Sequence, residues 1–345
     1  MKNILPKSLN VGDVIGYFSP SSPATVFASK RFERAKQYLT EKGFHLIAGK
    51  QTSKSDFYRS GTIQERAAEL NELIRNPEVR CIMSTIGGMN SNSLLPYIDH
   101  EALSKDPKII IGYSDVTALL LGIYAQTGLV TFYGPALVAS FGEFPPLVDE
   151  TFASFKEVLC QGCTEQYDYK LPTHWTDEMI EWTEQNEAKN VYENNCEFSG
   201  SGYISGRVIG GNLDTILGIW GSPYMPEINP GDILFLEDGL KDIATVERLF
   251  AFLKLNGVFD RVSAVILGKH QQFDNKGTDR QPIDVLREIL NGQHVPVVNG
   301  FDCCHTHPML TLPIGIEVGI DFEKQQVTLL QPWVESANSK INQTQ

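Results

Sequence analysis

The feature that most constrains the fold is a regular alternation of short apolar runs with longer amphipathic segments over the first 160 residues. This alternation predicts a parallel sheet with helices on both of its faces. Sheets of this type bind their ligands at the carboxyl ends of the strands. The pattern predicts strands over 13–19, 44–48, 79–85, 108–112 and 131–133, and helices around 32–39, 62–75, 116–127 and 150–159.

The composition and apolar pattern change twice along the remaining chain. A chain of 345 residues is also too long to form one small core. Residues 164–199 contain nine acidic residues, two lysines and scattered aromatic side chains. Beyond residue 200 the pattern predicts a second, more β-rich α/β domain that ends in a hairpin over 317–330. We therefore expect an N-terminal domain over 1–163, an insert over 164–199 and a C-terminal domain over 200–335. The insert is either a linker whose aromatics pack on the surface or a lid that contributes ring faces to a ligand.

Composition excludes several classes of function. The chain carries 29 basic and 42 acidic residues, a net charge of −13, and no run of Lys or Arg. Such a protein is a poor partner for nucleic acid or for an anionic membrane surface. The first residues do not resemble a secretory signal, and the most apolar run, 118–125, is far shorter than the ~20 residues that span a bilayer. Six scattered cysteines suit a reducing compartment, so we expect a soluble cytoplasmic protein.

A pattern similar to a nucleophile elbow follows the fourth predicted strand. An apolar run ends at Gly112, and Ser114 stands where the next helix begins. In an elbow, a tight turn exposes the hydroxyl while the helix N-terminus faces a developing anion. The match to G-x-S-x-G is incomplete, because Val116 occupies the position of the second glycine. The segment is therefore compatible with a catalytic serine or with a plain N-cap serine.

Two adjacent glycines, Gly87 and Gly88, follow the strand predicted over 79–85. Such a turn lets backbone N–H groups approach a ligand closely, as an oxyanion hole requires, although many Gly-Gly turns are only turns. The chain contains neither G-x-x-x-x-G-K-[ST] nor G-x-G-x-x-G, so phosphate-loop chemistry has no motif support.

Adjacent acids end a strand predicted over 232–236. Glu237 and Asp238 follow the apolar run, and Lys241 is a lone cation one turn later. Strand-end carboxylates often only cap turns. The functional interpretation makes Glu237 the group that orients a histidine and Lys241 the anchor of a substrate carboxylate.

A dense group of cysteines and histidines lies near the C-terminus. Residues 303–313 read Cys-Cys-His-Thr-His-Pro-Met-Leu-Thr-Leu-Pro. A structural zinc site needs four ligands, usually in two separated pairs, and neither His270 nor His294 has ligand spacing to this group. We therefore expect no metal, and either His305 or His307 is a candidate general base.

Four of these motifs occur in one order: the Gly-Gly turn, Gly-Tyr-Ser-Asp at 112–115, Leu-Glu-Asp at 236–238, and residues 304–313. Together they resemble the serine LD-carboxypeptidase family over nearly the whole chain. The resemblance implies an N-terminal α/β domain of glutamine-amidotransferase-like type and a C-terminal β-rich domain, with the active site in the cleft between them.

The same resemblance implies a catalytic triad of Ser114, Glu237 and His305. His305 is chosen over His307 because it precedes the Thr-x-Pro-Met-Leu-Thr-Leu-Pro stretch that the family shares. Many members of the family have glycine at the position of Cys304.

Within the family, the chain is more similar to the branch of microcin C self-immunity proteins than to the shorter murein tetrapeptide carboxypeptidases. Two features suggest this branch: the insert with Trp175 and Trp182, and Lys241 four residues after Glu237. In that branch a tryptophan of the insert stacks on adenine and the lysine holds an aspartyl carboxylate. The resemblance thus implies Trp182, or alternatively Trp175, as the stacking residue. It implies Lys241 and Asn212 as further substrate-binding residues.

The resemblance implies hydrolysis, through an acyl-enzyme, of the amide-type bond between a peptidyl or aminoacyl group and a modified adenylate. Backbone N–H groups of Gly88 and Asp115 would bind the oxyanion. We expect no cofactor, a small-molecule substrate as the partner, and a homodimer, the last from the resemblance alone. The alternatives are a murein tetrapeptide LD-carboxypeptidase of cell-wall recycling, a non-catalytic small-molecule binding protein, and a metallohydrolase that uses His305 and His307.

Overall fold

The structure, a computed structural model, describes residues 2–160 and 166–335. The predicted boundary between residues 163 and 164 lies outside the described residues. The elements of the first part of the chain are β1 (Val14–Phe18), α1 (Ala24–Phe27), α2 (Ser29–Glu41), β2 (His45–Ala48), α3 (Ile63–Arg75), β3 (Val79–Ser84), a 3-10 helix (Ser91–Tyr97), α4 (His100–Lys105), β4 (Ile109–Gly112), a second 3-10 helix (Ser114–Val116), α5 (Thr117–Thr127), β5 (Thr131–Tyr133) and α6 (Leu147–Leu159).

Four short strands lie in the predicted insert, and the remaining elements follow it. They are β6 (Tyr167–Asp168), β7 (His174–Trp175), β8 (Tyr192–Glu193), β9 (Glu197–Ser199), β10 (Tyr203–Asn212), α7 (Leu213–Leu217), β11 (Ile233–Glu237), α8 (Ile243–Leu255), β12 (Ala264–Gly268), α9 (Pro282–Leu290), β13 (Val297–Phe301), β14 (Leu312–Ile314), β15 (Glu317–Asp321) and β16 (Gln326–Leu329).

The first sheet has the strand order β14-β5-β4-β3-β1-β2. Strands β1 to β5 are mutually parallel, which confirms the α/β fold predicted for this part of the chain. The order reverses between β1 and β3, so the loops that follow these strands diverge and leave a crevice at their carboxyl ends. Strand β14 comes from the far end of the sequence and pairs antiparallel with β5.

The second sheet has the order β6-β16-β15-β10-β11-β12-β13-β9. Its central strands β10 to β13 are parallel, while the flanking strands are antiparallel, including the predicted terminal hairpin β15–β16. Both edge strands, β6 and β9, belong to the insert. The insert is therefore attached at each end to the second sheet. The two-domain α/β class with a β-rich second domain is confirmed.

Local sequence explains the helices that were predicted well. Helix α3 begins after Thr62, whose hydroxyl accepts from the backbone of Glu65 while the Glu65 carboxylate accepts from the backbone of Thr62, a reciprocal capping box. Helix α5 is buried from Thr117 to Tyr124 and ends at Gly128 in the left-handed conformation. A helix that is apolar on every side lies in the core.

The elements missed by sequence reasoning are short. Helices α1, α4 and α7 have four, six and five residues, too few for an apolar periodicity to be read. Helix α6 also begins three residues earlier than predicted, at Leu147. No helix in the described ranges has the length and apolar character needed to cross a membrane.

Candidate active site

Ser114 lies in a strained elbow at the carboxyl end of β4. Its φ of 62° is in the left-handed region, which non-glycine residues rarely adopt. The N-cap residues of the two helices that follow are Tyr113 and Val116, so Ser114 is not a capping serine. This geometry favours the nucleophile-elbow interpretation over the N-cap one.

The missing second glycine of the elbow has a structural explanation. A Cβ on Gly112 would lie 2.4 Å from Ser84 Oγ and 2.9 Å from Val116 Cγ1. The valine side chain thus packs into the space that Gly112 leaves free.

His305 and Glu237 form a hydrogen-bonded pair. His305 Nδ1 lies 2.5 Å from Glu237 Oε2, and the His305 backbone N–H donates to the same oxygen at 3.2 Å. The imidazole is packed between Gly239, where a Cβ would lie 3.1 Å from His305 Cγ, and Tyr113, whose ring centroid is 4.9 Å away. The ring is therefore fixed in orientation, with Nδ1 used by the carboxylate.

Glu237 is fully buried, and further donors satisfy its second oxygen. The Tyr133 hydroxyl donates to Oε1, and the Asn212 side-chain amide donates to it at 3.0 Å. Tyr133 also accepts from the Ser114 backbone N–H at 3.0 Å, so one hydroxyl connects the elbow with the acid. Sequence reasoning missed Tyr133, although its position at the carboxyl end of β5 was a usable signal.

The electrostatics of the pair stabilise an ionised carboxylate beside a basic imidazole. Burial alone raises the pKa of Glu237, but the attraction and hydrogen bond of His305 lower it overall. Burial alone lowers the pKa of His305, but the Glu237 charge raises it above the ordinary 6.5. A lowered pKa for the acid and a raised pKa for the histidine are what a general base needs. The buried carboxylate then stabilises the imidazolium that forms when the histidine takes a proton.

The Gly-Gly turn packs directly on the elbow. A Cβ on Gly87 would lie 2.9 Å from Ser114 Cβ, and Gly88, at φ 149°, would bring one within 2.2 Å of Ser21 Oγ. The Asp115 carboxylate accepts from two backbone N–H groups that follow this turn, those of Asn90 at 3.0 Å and Ser91 at 2.9 Å. Both predicted oxyanion residues, Gly88 and Asp115, therefore stand beside Ser114.

Two cavities meet at Ser114 and His305. The first, here the Lys241 cavity, has a volume of about 680 Å³ and includes Asn212, Asp214 and Lys241 in its lining. The second, the Trp182 cavity, has a volume of about 260 Å³ and includes Trp182, Lys189 and His307. Gly88, Ser114, Leu240 and His305 line both.

In the Lys241 cavity, the predicted substrate-binding residues already have protein partners. Lys241 forms an ion pair with Asp214, an acid of α7, a helix that sequence reasoning missed. Asn212 ends β10, caps α7 and donates to Glu237 and to Asp238 Oδ1, the latter at 3.1 Å. Its amide thus supports the acid of the pair.

The structure separates the two insert tryptophans. Trp182 stacks on Phe27 with ring centroids 6.2 Å apart, and the Arg31 guanidinium carbon lies 4.8 Å from its ring. Trp175 lines a different cavity, packed near Tyr192 and 5.4 Å from Lys269 Nζ. Only Trp182 is brought beside Ser114.

The two candidate histidines have separate environments. His307 is buried, with Nε2 3.9 Å from Glu143 Oε2, and burial together with the charge of Lys189 lowers its pKa well below 6.5. His305 alone of the two pairs with Glu237. Among residues 2–160 and 166–335, no group of three or more His, Cys, Asp or Glu side chains is placed to hold a metal ion.

Comparison with known proteins decides the family. Models of the LD-carboxypeptidase N-terminal and C-terminal domains match residues 15–134 and 205–320. The chain belongs to the LD-carboxypeptidase family. It is therefore a hydrolase of the serine-peptidase type, and the alternative of a non-catalytic binding protein is set aside. Cys304 is fully buried against Gly268, where a Cβ would lie 3.1 Å from Cys304 Cβ.

Particular relatives place the chain within this LD-carboxypeptidase family. A Vibrio cholerae protein with a carboxypeptidase name is 64% identical over 96% of this chain and 98% of that protein. The microcin C7 self-immunity protein MccF of Escherichia coli is 59% identical over 96% of this chain and 97% of its own length. The structure of MccF in complex with aspartyl sulfamoyl adenosine matches with a TM-score of 0.95, over 96% of this chain and 100% of that one. The chain thus lies in the MccF branch.

Proposed function

We propose that this protein is a Ser–Glu–His amidohydrolase that cleaves the bond between an aminoacyl or peptidyl group and a modified adenylate. The observation that carries the proposal is the position of Ser114 and His305 between two cavities, one lined by a lysine and the other by a tryptophan. In a substrate with an acidic acyl group and a purine leaving group, the acid matches the lysine of one cavity and the purine matches the tryptophan of the other. The complex of MccF with aspartyl sulfamoyl adenosine supports this assignment.

The chemistry follows from the hydrogen-bonded pair. Since Glu237 uses His305 Nδ1, the Nε2 atom remains to take the proton of Ser114 as its hydroxyl attacks the acyl carbon. The Gly88 and Asp115 N–H groups stabilise the oxyanion of the tetrahedral intermediate. His305 then protonates the leaving nitrogen, and water repeats the sequence to release the acid.

The Lys241 cavity suits the acyl group. Lys241 and Asp214 lie at its wall and are both partly exposed, so an incoming carboxylate meets an accessible ammonium. A carboxylate of the substrate would share the ammonium with Asp214 or displace it. An aspartyl side chain is the expected occupant.

Removal of the ammonium is expected to impair acidic substrates selectively. In Lys241→Ala, the transition-state stabilisation that kcat/KM reports for an aspartyl substrate should fall by about 1.5–3 kcal/mol. This is the usual contribution of a hydrogen bond to a charged group. The matched leucyl substrate has no carboxylate for Lys241 and should lose less than threefold. Steady-state kinetics on both substrates measures the difference. Equal losses on the two would contradict the role of Lys241.

The function as a whole is tested by parallel turnover of an aspartyl adenylate analogue and a murein tetrapeptide. The wild type should prefer the adenylate. Trp182→Ala should weaken adenylate binding by about 1–3 kcal/mol, the worth of one base–aromatic stack, and should leave the murein peptide, which has no base, unaffected. Trp175→Ala is the matched control, because Trp175 lines a separate cavity. If the wild type turns over only the murein peptide, the murein carboxypeptidase alternative takes the place of this proposal.

Two further parts of the proposal are a homodimeric assembly, which rests on family resemblance alone, and a cytoplasmic location, which the six scattered cysteines support. The adenylate substrate suits that compartment, because acyl adenylates are formed where nucleotides are available.

A further inference from the structure

A buried cluster of charges lies next to the Trp182 cavity and has no part in the mechanism above. Arg31 and Glu143 are fully buried and 3.0 Å apart, and Lys189 Nζ lies 3.2 Å from the same Glu143 oxygen. Gln185 hydrogen-bonds to both Arg31 and Glu143. Lys189 and Gln185 come from the insert, Arg31 from α2, and Glu143 from the loop before α6.

The cluster contains more positive than negative charge. Burial raises the pKa of Glu143, but attraction to the groups around it, His307 first and then Arg31 and Lys189, lowers the value to about 2, so this carboxylate is ionised. Arg31 and Lys189 thus share one buried anion, and Arg34 adds a third cation whose Nη2 is 3.5 Å from Gln185. Glu178, a partly exposed acid that accepts from Asn190, is the other carboxylate whose charge acts on Lys189. An uncompensated buried charge is costly unless a ligand offsets it.

The burial of Lys189 is unusual for a lysine in an insert of this composition. The insert has nine acidic residues and two lysines. Lys170 is 79% exposed in its side chain, whereas Lys189 is 2% exposed. A lysine that served only solubility would stay in water, as Lys170 does. Lys189 instead faces the cavity that contains Ser114.

A second observation points to a ligand at the same place. His307 is 5% exposed and lines the Trp182 cavity beside Lys189. Its Nδ1 atom is buried and has no hydrogen-bond partner in the described part of the chain. Buried polar atoms are normally satisfied, and a neutral imidazole nitrogen can donate or accept.

We propose that Lys189, supported by Arg31 and with His307 as a neighbouring contact, forms an anion subsite for the leaving group. The class of ligand is an oxyanion close to the scissile nitrogen: the phosphoryl group of a nucleotide, or the terminal carboxylate of a D-amino acid. Trp182 in the same cavity favours the phosphoryl group. Glu143 limits the local charge so that one anion, not two, completes the cluster. The inference rests on the proposed function, because it assigns this cavity to the leaving group.

The test compares AMP with adenosine by isothermal titration calorimetry, because the two differ only in the phosphate. Wild type should bind AMP more tightly than adenosine. Lys189→Met should raise the Kd of AMP by about thirtyfold or more, the loss expected when one partner of a desolvated charge pair is removed. The Kd of adenosine should change less than threefold, and Lys189→Arg should restore most of the AMP affinity. Lys170→Met, which removes the same charge from the exposed lysine of the insert, should leave both values as in the wild type.

The two proposals fail in different ways. If thermal unfolding shows that Lys189→Met is folded and the variant keeps the wild-type preference for AMP, the anion subsite is wrong while the adenylate function stands.

If neither AMP nor adenosine binds the wild type, the adenylate function is wrong. The subsite is then measured with a peptide ending in D-alanine against its amide. Loss of the preference for the free carboxylate in Lys189→Met would support the subsite for the other leaving group, and an unchanged preference would overturn it. A Lys189→Met chain that does not fold is replaced by Lys189→Gln, with the same expectations and the same contrary result.

Discussion

Replacement of Ser114 by alanine is expected to lower kcat by about 10⁴–10⁶-fold, the usual loss when a triad nucleophile is removed. The elbow holds the Ser114 hydroxyl at the junction of the two cavities, and alanine cannot form the acyl-enzyme. Ground-state affinity for AMP should stay within threefold of the wild type, because the walls of the Trp182 cavity are unchanged. Single-turnover kinetics and calorimetry on the same preparation measure both.

The histidines provide the control for this prediction. His305→Ala should be about as severe as Ser114→Ala, since the base and the nucleophile act as a unit. His307→Ala, two residues away and 3.9 Å from Glu143 instead of paired with Glu237, should lower kcat less than tenfold. A Ser114→Ala variant with more than a tenth of the wild-type rate, or a reversed ranking of the histidines, would contradict the triad.

The second large effect concerns Glu237→Gln, which should lower kcat by roughly 10⁴-fold. An amide keeps much of the shape but removes the charge that stabilises the imidazolium, and it disfavours the required tautomer. The pH profile should also change. In the wild type, Glu237 raises the pKa of His305 above 6.5, so kcat/KM should increase with pH through an apparent pKa above that value. In Glu237→Gln the carboxylate is absent, so the rise of the residual kcat/KM with pH, the acidic limb of the profile, should occur at a lower pH than in the wild type.

Asp238→Asn is the matched control for that variant. Asp238 is adjacent and buried, and burial together with Glu237 raises its pKa to about 6, yet its Oδ1 bonds with Asn212 and not with the imidazole. Its removal should shift the acidic limb less than Glu237→Gln does and should leave kcat within about a hundredfold of the wild type. If Asp238→Asn matched or exceeded the effects of Glu237→Gln, the assignment of the orienting acid would be wrong.

Features set by local physics were predictable from the sequence. The parallel sheet, the capping box at Thr62 and the apolar helix α5 depend on residue spacing within one segment. The elbow at Ser114 was visible as an apolar run that ends in glycine. The pairing of Ser114 with Glu237 and His305 was predicted from the ordered motifs of a family, because no local pattern relates residues that are 123 and 68 positions apart.

The tertiary structure decided which side chains share an environment. The carboxyl ends of β4 and β5 in one sheet meet those of β10 and β11 in the other, and this brings Tyr133 and Asn212 onto Glu237. It also assigned Trp182 and Trp175 to different cavities and paired Lys241 with Asp214. By itself, the sequence determined the longer helices, the class of fold and the candidate nucleophile, because these follow from short-range sterics and apolar periodicity. The partners of Glu237 and the burial of Lys189 beside Arg31 and Glu143 were decided only in three dimensions. Electrostatic energy and desolvation depend on distances between segments that periodicity does not encode.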